Sequence, residues 1–258
     1  MDKNDYLRAF RSEADDFLTA AGRGLKARVP SCPAWAVGDL LVHLGGVYAF
    51  VAAIGRERAI DRADVKLVND AVEETNATLR NDPEFARSPR ALDWFRESAD
   101  RLEAVLRDLD PAQPVWTLSP QYQTGGFWHR RMAQETAVHR WDAEAAHGTA
   151  RPIETSLAVD GIEETAVVLI PRRRRASKTA GQGETYLIRP TDADGVWRVR
   201  FDGDQVTVER SAGSADVTLS GPASDLLLFL WQRVPRDRIK VEGDPAKLDR
   251  YFELAPPN

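Results

Sequence analysis

The chain has 258 residues, of which 43% are hydrophobic and 29% charged, and this is typical of one large or two ordinary folded domains. Its formal net charge of -5 at pH 7 provides no positive field for nucleic acid or an anionic membrane, so we expect neither as a partner. Cys32 is the single cysteine, which excludes an internal disulfide, and the N-terminal segment lacks an apolar signal-peptide stretch, so we expect a cytoplasmic protein.

Apolar residues at spacings of three and four predict helices throughout the first part of the chain. Proline-containing segments such as Val29–Pro33 and Asp110–Pro111 are typical of the ends of these helices. The predicted helices span residues 5–26, 36–58, 61–79, 89–109 and 126–147. Four of them are long enough for an up-down four-helix bundle, with the 61–79 segment as an accessory helix or part of a crossover.

After Gly148 the sequence pattern changes, and we predict two domains, residues 1–150 and 151–258. A predicted helix over residues 153–169 is followed by Pro171 and by Arg172–Arg175, a run that we expect to be solvent-exposed rather than an anion site. Short alternating segments separated by turn signals then predict strands. These strands span residues 185–189, 196–201, 205–210, 215–220 and 239–242, with helices over 222–232 and 245–252. The second domain is therefore predicted to be α+β with a mainly antiparallel sheet.

Three titratable side chains fall on apolar faces of the predicted bundle helices. His43 lies within the apolar stripe of the second helix, and Glu135 and His139 lie one turn apart on the last one. A carboxylate and an imidazole at this spacing reach a common point, and a buried carboxylate needs a partner, so a shared divalent metal is predicted. Two imidazoles and one carboxylate are typical of catalytic zinc with an open fourth position. On the residues alone, a solvated Glu–His pair and a hydrogen-bonded core histidine remain equally good interpretations.

Two further side chains near this cluster are candidates for chemistry. Asp142 follows His139 by one helical turn, where it would accept the second ring N–H of that histidine or hold a substrate group. Cys32 precedes a helix N-terminus, a position that stabilises a thiolate. No general base is placed near it by the sequence, so a core-filling cysteine is the favoured interpretation.

Two segments of the first domain, Cys32–Gly46 and Arg130–Glu144, combine a Trp-containing turn before an inward His with a later Glu-x-x-x-His, and two segments of the second domain accompany them, Leu226–Arg233 and Ile239–Asp244. Together these four segments resemble the mycothiol-dependent maleylpyruvate isomerase family. The N-terminal domain of that family belongs to the wider group of DinB-like metal-binding four-helix bundles, and its small C-terminal domain is a sterol-carrier-like α+β unit.

Two residues depart from the family pattern at the start of the second helix. Ala36 stands where the family often has Ser or Thr as the helix N-cap, and Gly38 lowers the helix propensity just after it. We therefore expect a slightly weakened helix start that leaves the ligand His43 intact.

The resemblance implies a metal- and thiol-dependent enzyme. His43, Glu135 and His139 fall on the family's three metal ligands, zinc is the usual metal, and mycothiol is the cosubstrate. A C-terminal arginine is also implicated in catalysis in that family, and Arg233 is the candidate for it. Asp142 in the first domain is the second catalytic candidate. In such an isomerase a metal-bound thiolate adds to the double bond of an unsaturated keto acid, rotation follows, and elimination returns the thiol.

Two other functions remain open from the sequence. The same thiolate would serve a thiol S-transferase, which releases the adduct instead of eliminating the thiol. A non-catalytic protein that binds a small ligand or lipid is the alternative from a different class. The expected partners are a small-molecule electrophile and a low-molecular-weight thiol, and the expected assembly is a monomer or homodimer.

Overall fold

The computed structural model describes residues 1–80, 82 and 84–256 and divides the chain into two compact units, the second of which begins at Pro152. The first unit is helical, and the second combines helices with a sheet, so the predicted fold class is confirmed. The helices of the first unit are α1 (Lys3–Ala21), α2 (Val37–Glu57), α3 (Arg62–Arg80), α4 (Pro89–Asp108) and α5 (Gly125–Ala145).

The first helix is closed at both ends by backbone and side-chain hydrogen bonds. At its start the Asp2 carboxylate accepts from the Asp5 amide at 2.9 Å, and the Asp5 carboxylate accepts from the Asp2 amide at 2.8 Å. At its end the Gly22 amide donates to the Leu18 carbonyl, and the helix stops at Ala21 rather than at residue 26 as predicted.

Tyr48 of α2 contacts side chains from three other helices of this unit. Its ring contacts Phe10 of α1 and Phe95 of α4 at centroid distances of 5.2 and 5.3 Å. Its hydroxyl lies 2.7 Å from that of Thr136 on α5. Because the Thr136 hydroxyl donates to the Met132 carbonyl, the Tyr48 hydroxyl is the donor of this bond. Aromatic packing and one hydrogen bond therefore place α2 and α5 side by side.

The start of α2 is held by contacts from outside the N-cap residue. Ala36 has no side-chain acceptor, and its amide donates to the Asp39 carboxylate at 2.9 Å. Arg87 in turn donates to both oxygens of Asp39, at 2.6 and 3.1 Å. A Cβ on Gly38 would stand 1.8 Å from the Ala86 carbonyl oxygen. Glycine is thus required by the close approach of two backbones, a reason that helix propensity does not reveal.

Helix α2 is also the one helix, among the residues that the structure describes, that is long and apolar enough to cross a membrane. Of its most apolar window, 67% is buried inside the protein. Its apolar surface is therefore mostly taken up by packing, as in the core helix of a helical bundle.

The second unit contains a mixed, mostly antiparallel sheet and, among the described residues, four α-helices. Within the described residues the strand order is β3-β2-β1-β4-β5, with β1 and β4 parallel and the other neighbours antiparallel. The strands are β1 (Gly181–Pro190), β2 (Trp197–Gly203), β3 (Gln205–Glu209), β4 (Val217–Gly221) and β5 (Lys240–Gly243). The helices are α6 (Thr155–Glu164), α7 (Ile170–Ala176), α8 (Ala223–Leu230) and α9 (Pro245–Leu254).

The helix predicted to end at residue 169 continues through Pro171 to Ala176. A π-helical segment, Thr165–Leu169, joins α6 to α7, and the Ile170 amide bonds to the Thr165 carbonyl five residues earlier. This wider turn carries the chain to a proline, which has no amide hydrogen to donate.

The expectation that Arg172–Arg175 is solvent-exposed is wrong for two of the four residues. Arg173 and Arg174 are only 3% and 2% exposed. The Arg173 guanidinium lies 5.1 Å from the centre of the Trp231 ring, and Arg174 donates to the Gly203 carbonyl at 2.9 Å. An aromatic face and a carbonyl oxygen thus compensate two buried cations.

Candidate metal centre

The structure brings the three sequence-predicted ligands together between α2 and α5. One ligand atom from each of His43, Glu135 and His139 lies within 4.8 Å of the other two. Oε1 of Glu135 is 3.2 Å from Nε2 of His139 and 3.8 Å from Nε2 of His43. The two imidazole rings stand nearly perpendicular, with centroids 5.3 Å apart. A carboxylate oxygen and two ring nitrogens therefore converge on one point.

This donor set fits a divalent cation. Two ligand atoms at about 2.1 Å from a tetrahedral zinc ion are about 3.4 Å apart. The separations of 3.2 and 3.8 Å at Glu135 lie close to that spacing. Two imidazoles and a carboxylate suit zinc, and they suit nickel, manganese and iron as well.

His139 is oriented by a carboxylate behind it. Its Nδ1 lies 2.9 Å from Oδ2 of Asp142, which is 0% exposed. This bond engages Nδ1 on the side of the ring away from the cluster, so Nε2 is the ring nitrogen that faces Glu135 and His43. The second oxygen of Asp142 accepts from the Ser31 hydroxyl at 2.5 Å. Ser31 was not singled out by the sequence, since no local spacing connects it to α5.

The pKa values of the two α5 ligands are shifted in opposite directions by each other. Burial lowers the pKa of His139, but its hydrogen bonds to Asp142 and Glu135 outweigh burial and raise the pKa to about 9. Burial raises the pKa of Glu135, but the His139 and His43 rings and the Arg131 charge outweigh it and hold the pKa well below its ordinary value. Glu135 is therefore ionised, and a cation that binds Nε2 of His139 has to displace a proton.

Arg131 is a partner of Glu135 that the sequence argument missed. Its Nη2 lies 3.0 Å from Oε2 of Glu135, and its side chain is only 4% exposed. The carboxylate is therefore not unpaired, so burial alone does not demand a metal. Arg131 holds Oε2 and leaves Oε1 toward the histidines. The spacing of four residues on one helix is the signal that would have revealed this pair.

His43 forms the solvent-facing side of the cluster. Its side chain is 38% exposed, against 7% for His139. Among the described residues, no side chain or carbonyl hydrogen-bonds to its Nδ1. Its ring instead contacts the Trp35 indole, at a centroid distance of 5.0 Å and an interplanar angle of 53°. The two histidines are thus held by different contacts.

The remaining candidate residues lie outside the cluster. Cys32 is a free, half-buried cysteine in the loop that also carries Ser31 and Trp35. Arg233 belongs to the second unit, where its Nη1 donates to the Trp231 carbonyl at 2.9 Å and its guanidinium lies 5.8 Å from the Trp231 ring centre.

A cavity of about 910 Å³ lies on another side of α2, between α2, α3 and α4. Its lining is mostly apolar and includes Ala49, Ala52, Ala53, Val68 and Trp94. The three converging ligands do not line it, so cavity size and metal-binding chemistry point to different places in this unit.

Comparisons with known proteins agree with this architecture. Residues 7–144 match the family described as mycothiol maleylpyruvate isomerase N-terminal domain, and residues 156–250 match the MDMPI C-terminal domain. No curated protein matches the sequence of the chain.

Two crystal structures share the fold. A mycothiol-dependent maleylpyruvate isomerase is 11% identical over 94% of this chain and 93% of its own, with a TM-score of 0.60. A His-to-Ala mutant of such an isomerase has the same identity and coverage, with a TM-score of 0.62. The two family matches lie one after the other and together cover most of the chain. The chain therefore belongs to the mycothiol maleylpyruvate isomerase family.

Proposed function

We propose that this protein is a metal-dependent enzyme that uses a low-molecular-weight thiol, mycothiol, to isomerise an unsaturated keto acid. The observation that carries the proposal is the convergence of His43, Glu135 and His139 from two helices within 4.8 Å. Membership of the family supports the thiol and the class of substrate. A divalent cation, zinc in our proposal, would act as a Lewis acid that lowers the pKa of a thiol and so makes the thiol nucleophilic at neutral pH.

The side chains around the cluster have separate tasks in this proposal. His43, Glu135 and His139 hold the cation. Asp142 keeps the proton of His139 on Nδ1, 2.9 Å away, so that Nε2 is free to ligate. Arg131 fixes one oxygen of Glu135 and leaves the other for the site. Asp142 is fully buried, and we therefore assign it to positioning through His139 rather than to contact with a substrate.

Metal analysis tests the site. We expect protein purified without chelators to contain one equivalent of divalent metal, and His43→Ala, Glu135→Gln and His139→Ala to lose it. His147→Ala is the control, because His147 belongs to the same unit but lies outside the cluster. Metal-free wild-type protein that also fails to take up added zinc would contradict the proposal.

Incubation with mycothiol and a cis-unsaturated keto acid tests the reaction. Geometric isomerisation without net consumption of thiol is the expected result. Stoichiometric consumption of thiol would instead indicate an S-transferase. Binding of the acid without either change would indicate a non-catalytic ligand-binding protein.

A further inference from the structure

The loop between α1 and α2 is an ordered segment closed by its own backbone. The Val29 amide donates to the Trp35 carbonyl at 3.1 Å, and the Cys32 amide donates to the Val29 carbonyl at 3.1 Å. The Trp35 amide donates back to the Cys32 carbonyl at 2.8 Å. These bonds close two consecutive turns, Val29–Cys32 and Cys32–Trp35, and so hold Ser31 in the first and Trp35 at the end of the second at a defined separation.

These two residues of the loop make contacts that lead to different histidines of the metal-ligand cluster. Trp35 packs its indole against the His43 ring, which has no hydrogen bond to Nδ1 among the described residues. Ser31 donates at 2.5 Å to Asp142, which accepts from His139 at 2.9 Å. One loop therefore touches the supports of both histidines, although the histidines belong to different helices.

The two contacts restrict the ligands by different physics. Asp142 is buried with no exposed surface, so a hydroxyl that donates to one oxygen fixes the direction in which the other faces His139. His43 is partly solvent-exposed, and packing against a flat ring is what limits its rotation about χ2. Loss of either contact leaves one ligand free to sample orientations in which its Nε2 no longer faces Oε1 of Glu135.

We propose that Ser31 and Trp35 are positioning residues that hold His139, through Asp142, and His43 in the orientation that binds the cation. This inference rests on the proposed function, because it concerns the same metal site. Neither Ser31 nor Trp35 is one of the three converging ligands.

Zinc affinity, measured by competition with a chromophoric chelator, tests this assignment independently of activity. We expect Ser31→Ala and Trp35→Ala each to weaken zinc binding roughly tenfold or more, the size of effect typical of residues that orient metal ligands. Ser31→Thr keeps the hydroxyl and Trp35→Phe keeps a flat ring, so both should bind zinc within a few-fold of wild type. Ala34→Ser, at an exposed position of the same loop, is the matched control and should leave the affinity unchanged.

A double-mutant cycle tests the route through Asp142. In an Asp142→Asn background, Ser31→Ala should weaken zinc binding by less than about twofold, because its partner has already changed. Ser31→Ala and Trp35→Ala should instead multiply their effects when combined, since they act on different histidines. The same loss caused by Ser31→Ala in both backgrounds would contradict the route.

The outcomes also separate this inference from the proposed function. A wild-type protein that binds no zinc overturns both. If the wild-type protein binds zinc and the Ser31→Ala and Trp35→Ala variants fold and bind zinc with the same affinity, the positioning role alone is overturned. If Trp35→Ala does not fold, Trp35→Leu decides, because it keeps the bulk of the side chain without the flat ring.

Discussion

Arg140, next to His139 on α5, is buried among carboxylates that tie the helices together. Its Nε donates to Glu13 of α1 at 2.7 Å, and its Nη1 donates to Glu144 at 2.8 Å. Arg151 also donates to Glu144, from its backbone amide at 2.8 Å and from its side chain. Burial raises the pKa of Glu144, but the hydrogen bonds from Arg151 and Arg140 outweigh it and lower the pKa.

We expect Glu144→Gln to remove stability that depends on pH. A carboxylate whose pKa is lower when folded contributes fully above its unfolded value, about 4.3 to 4.5, and loses this contribution as the pH falls through the folded value. The free energy of unfolding of the variant should be about 2 kcal/mol lower than that of the wild type at pH 7, and this difference should shrink below about pH 4. Urea denaturation at several pH values measures it. Glu97→Gln, in an exposed pair with Arg101, should change stability by less than about 0.5 kcal/mol at either pH.

Single residues of the site differ in how far sequence predicts them. Glu135 and His139 share a helix face because helix periodicity is local, so their proximity follows from spacing. The meeting with His43 depends on how α2 packs on α5, and spacing alone leaves that open. Ser31 is harder still to predict, because its hydrogen bond to Asp142 joins a loop to a helix more than a hundred residues later in the sequence.

At the scale of elements, the start of α2 sets where His43 stands. Gly38 meets the backbone at Ala86, which a side chain there would overlap, and Asp39 is held by Arg87 from the same segment. Helix α2 is thus positioned by a backbone contact close to its first turn, five residues before the ligand.

We expect Gly38→Ala to destabilise the protein despite the higher helix propensity of alanine. The propensity gain is about 1 kcal/mol, whereas an overlap with backbone that has little room to move costs about 3 kcal/mol or more. A net loss of about 2 kcal/mol in chemical denaturation is the expected result. Gly22→Ala is the control, since a Cβ there meets only ordinary contacts at 3.4 Å, and its effect should be close to zero. An equally stable Gly38→Ala protein would show that α2 can shift without cost.

Elements with strong local patterns were predicted well, and their ends less so. The helices of the first unit and the strands of the second follow from periodicity and turn residues. Two predicted helix ends were wrong, because Gly22 and a π-helical turn override the local pattern. Helix α1 ends before residue 26, and the helix predicted to end at residue 169 continues through Pro171. The burial of Arg173 and Arg174 depends on partners from other elements, which composition does not show.

At the scale of the whole molecule, metal binding and folding of the first unit should be linked. Zinc that binds the folded state at a hundredfold excess over its Kd adds about 2.7 kcal/mol of stability. We expect this to raise the Tm of chelator-treated protein by roughly 5–10 °C. Differential scanning calorimetry with and without zinc measures the shift. His139→Ala should show no shift, and an equal shift in that variant would place the stabilising zinc elsewhere.

Arg233 tests whether the second unit takes part in the reaction. Arg233 is the candidate for the catalytic arginine that the family resemblance implies, and it is not among the converging ligands. We expect Arg233→Ala to lower kcat/KM for the keto acid by at least tenfold while leaving zinc affinity unchanged. Arg236→Ala, an exposed arginine in the same unit, is the matched control. Wild-type kinetics in Arg233→Ala would remove this residue from the reaction.

The π-helical segment Thr165–Leu169 changes what a difference in chain length means in the second unit. One extra residue in a regular α-helix rotates everything after it by about 100°. A π turn absorbs such a residue within a single wider turn, so the helix that follows keeps its face. Deleting one residue there should therefore restore α-helical bonding and leave the Arg173 guanidinium over the Trp231 ring, with the tryptophan fluorescence of the protein unchanged. When sequences of this family are aligned, a one-residue gap in this segment should be interpreted as the loss of a π turn, with the arginines after it still on the same helix face.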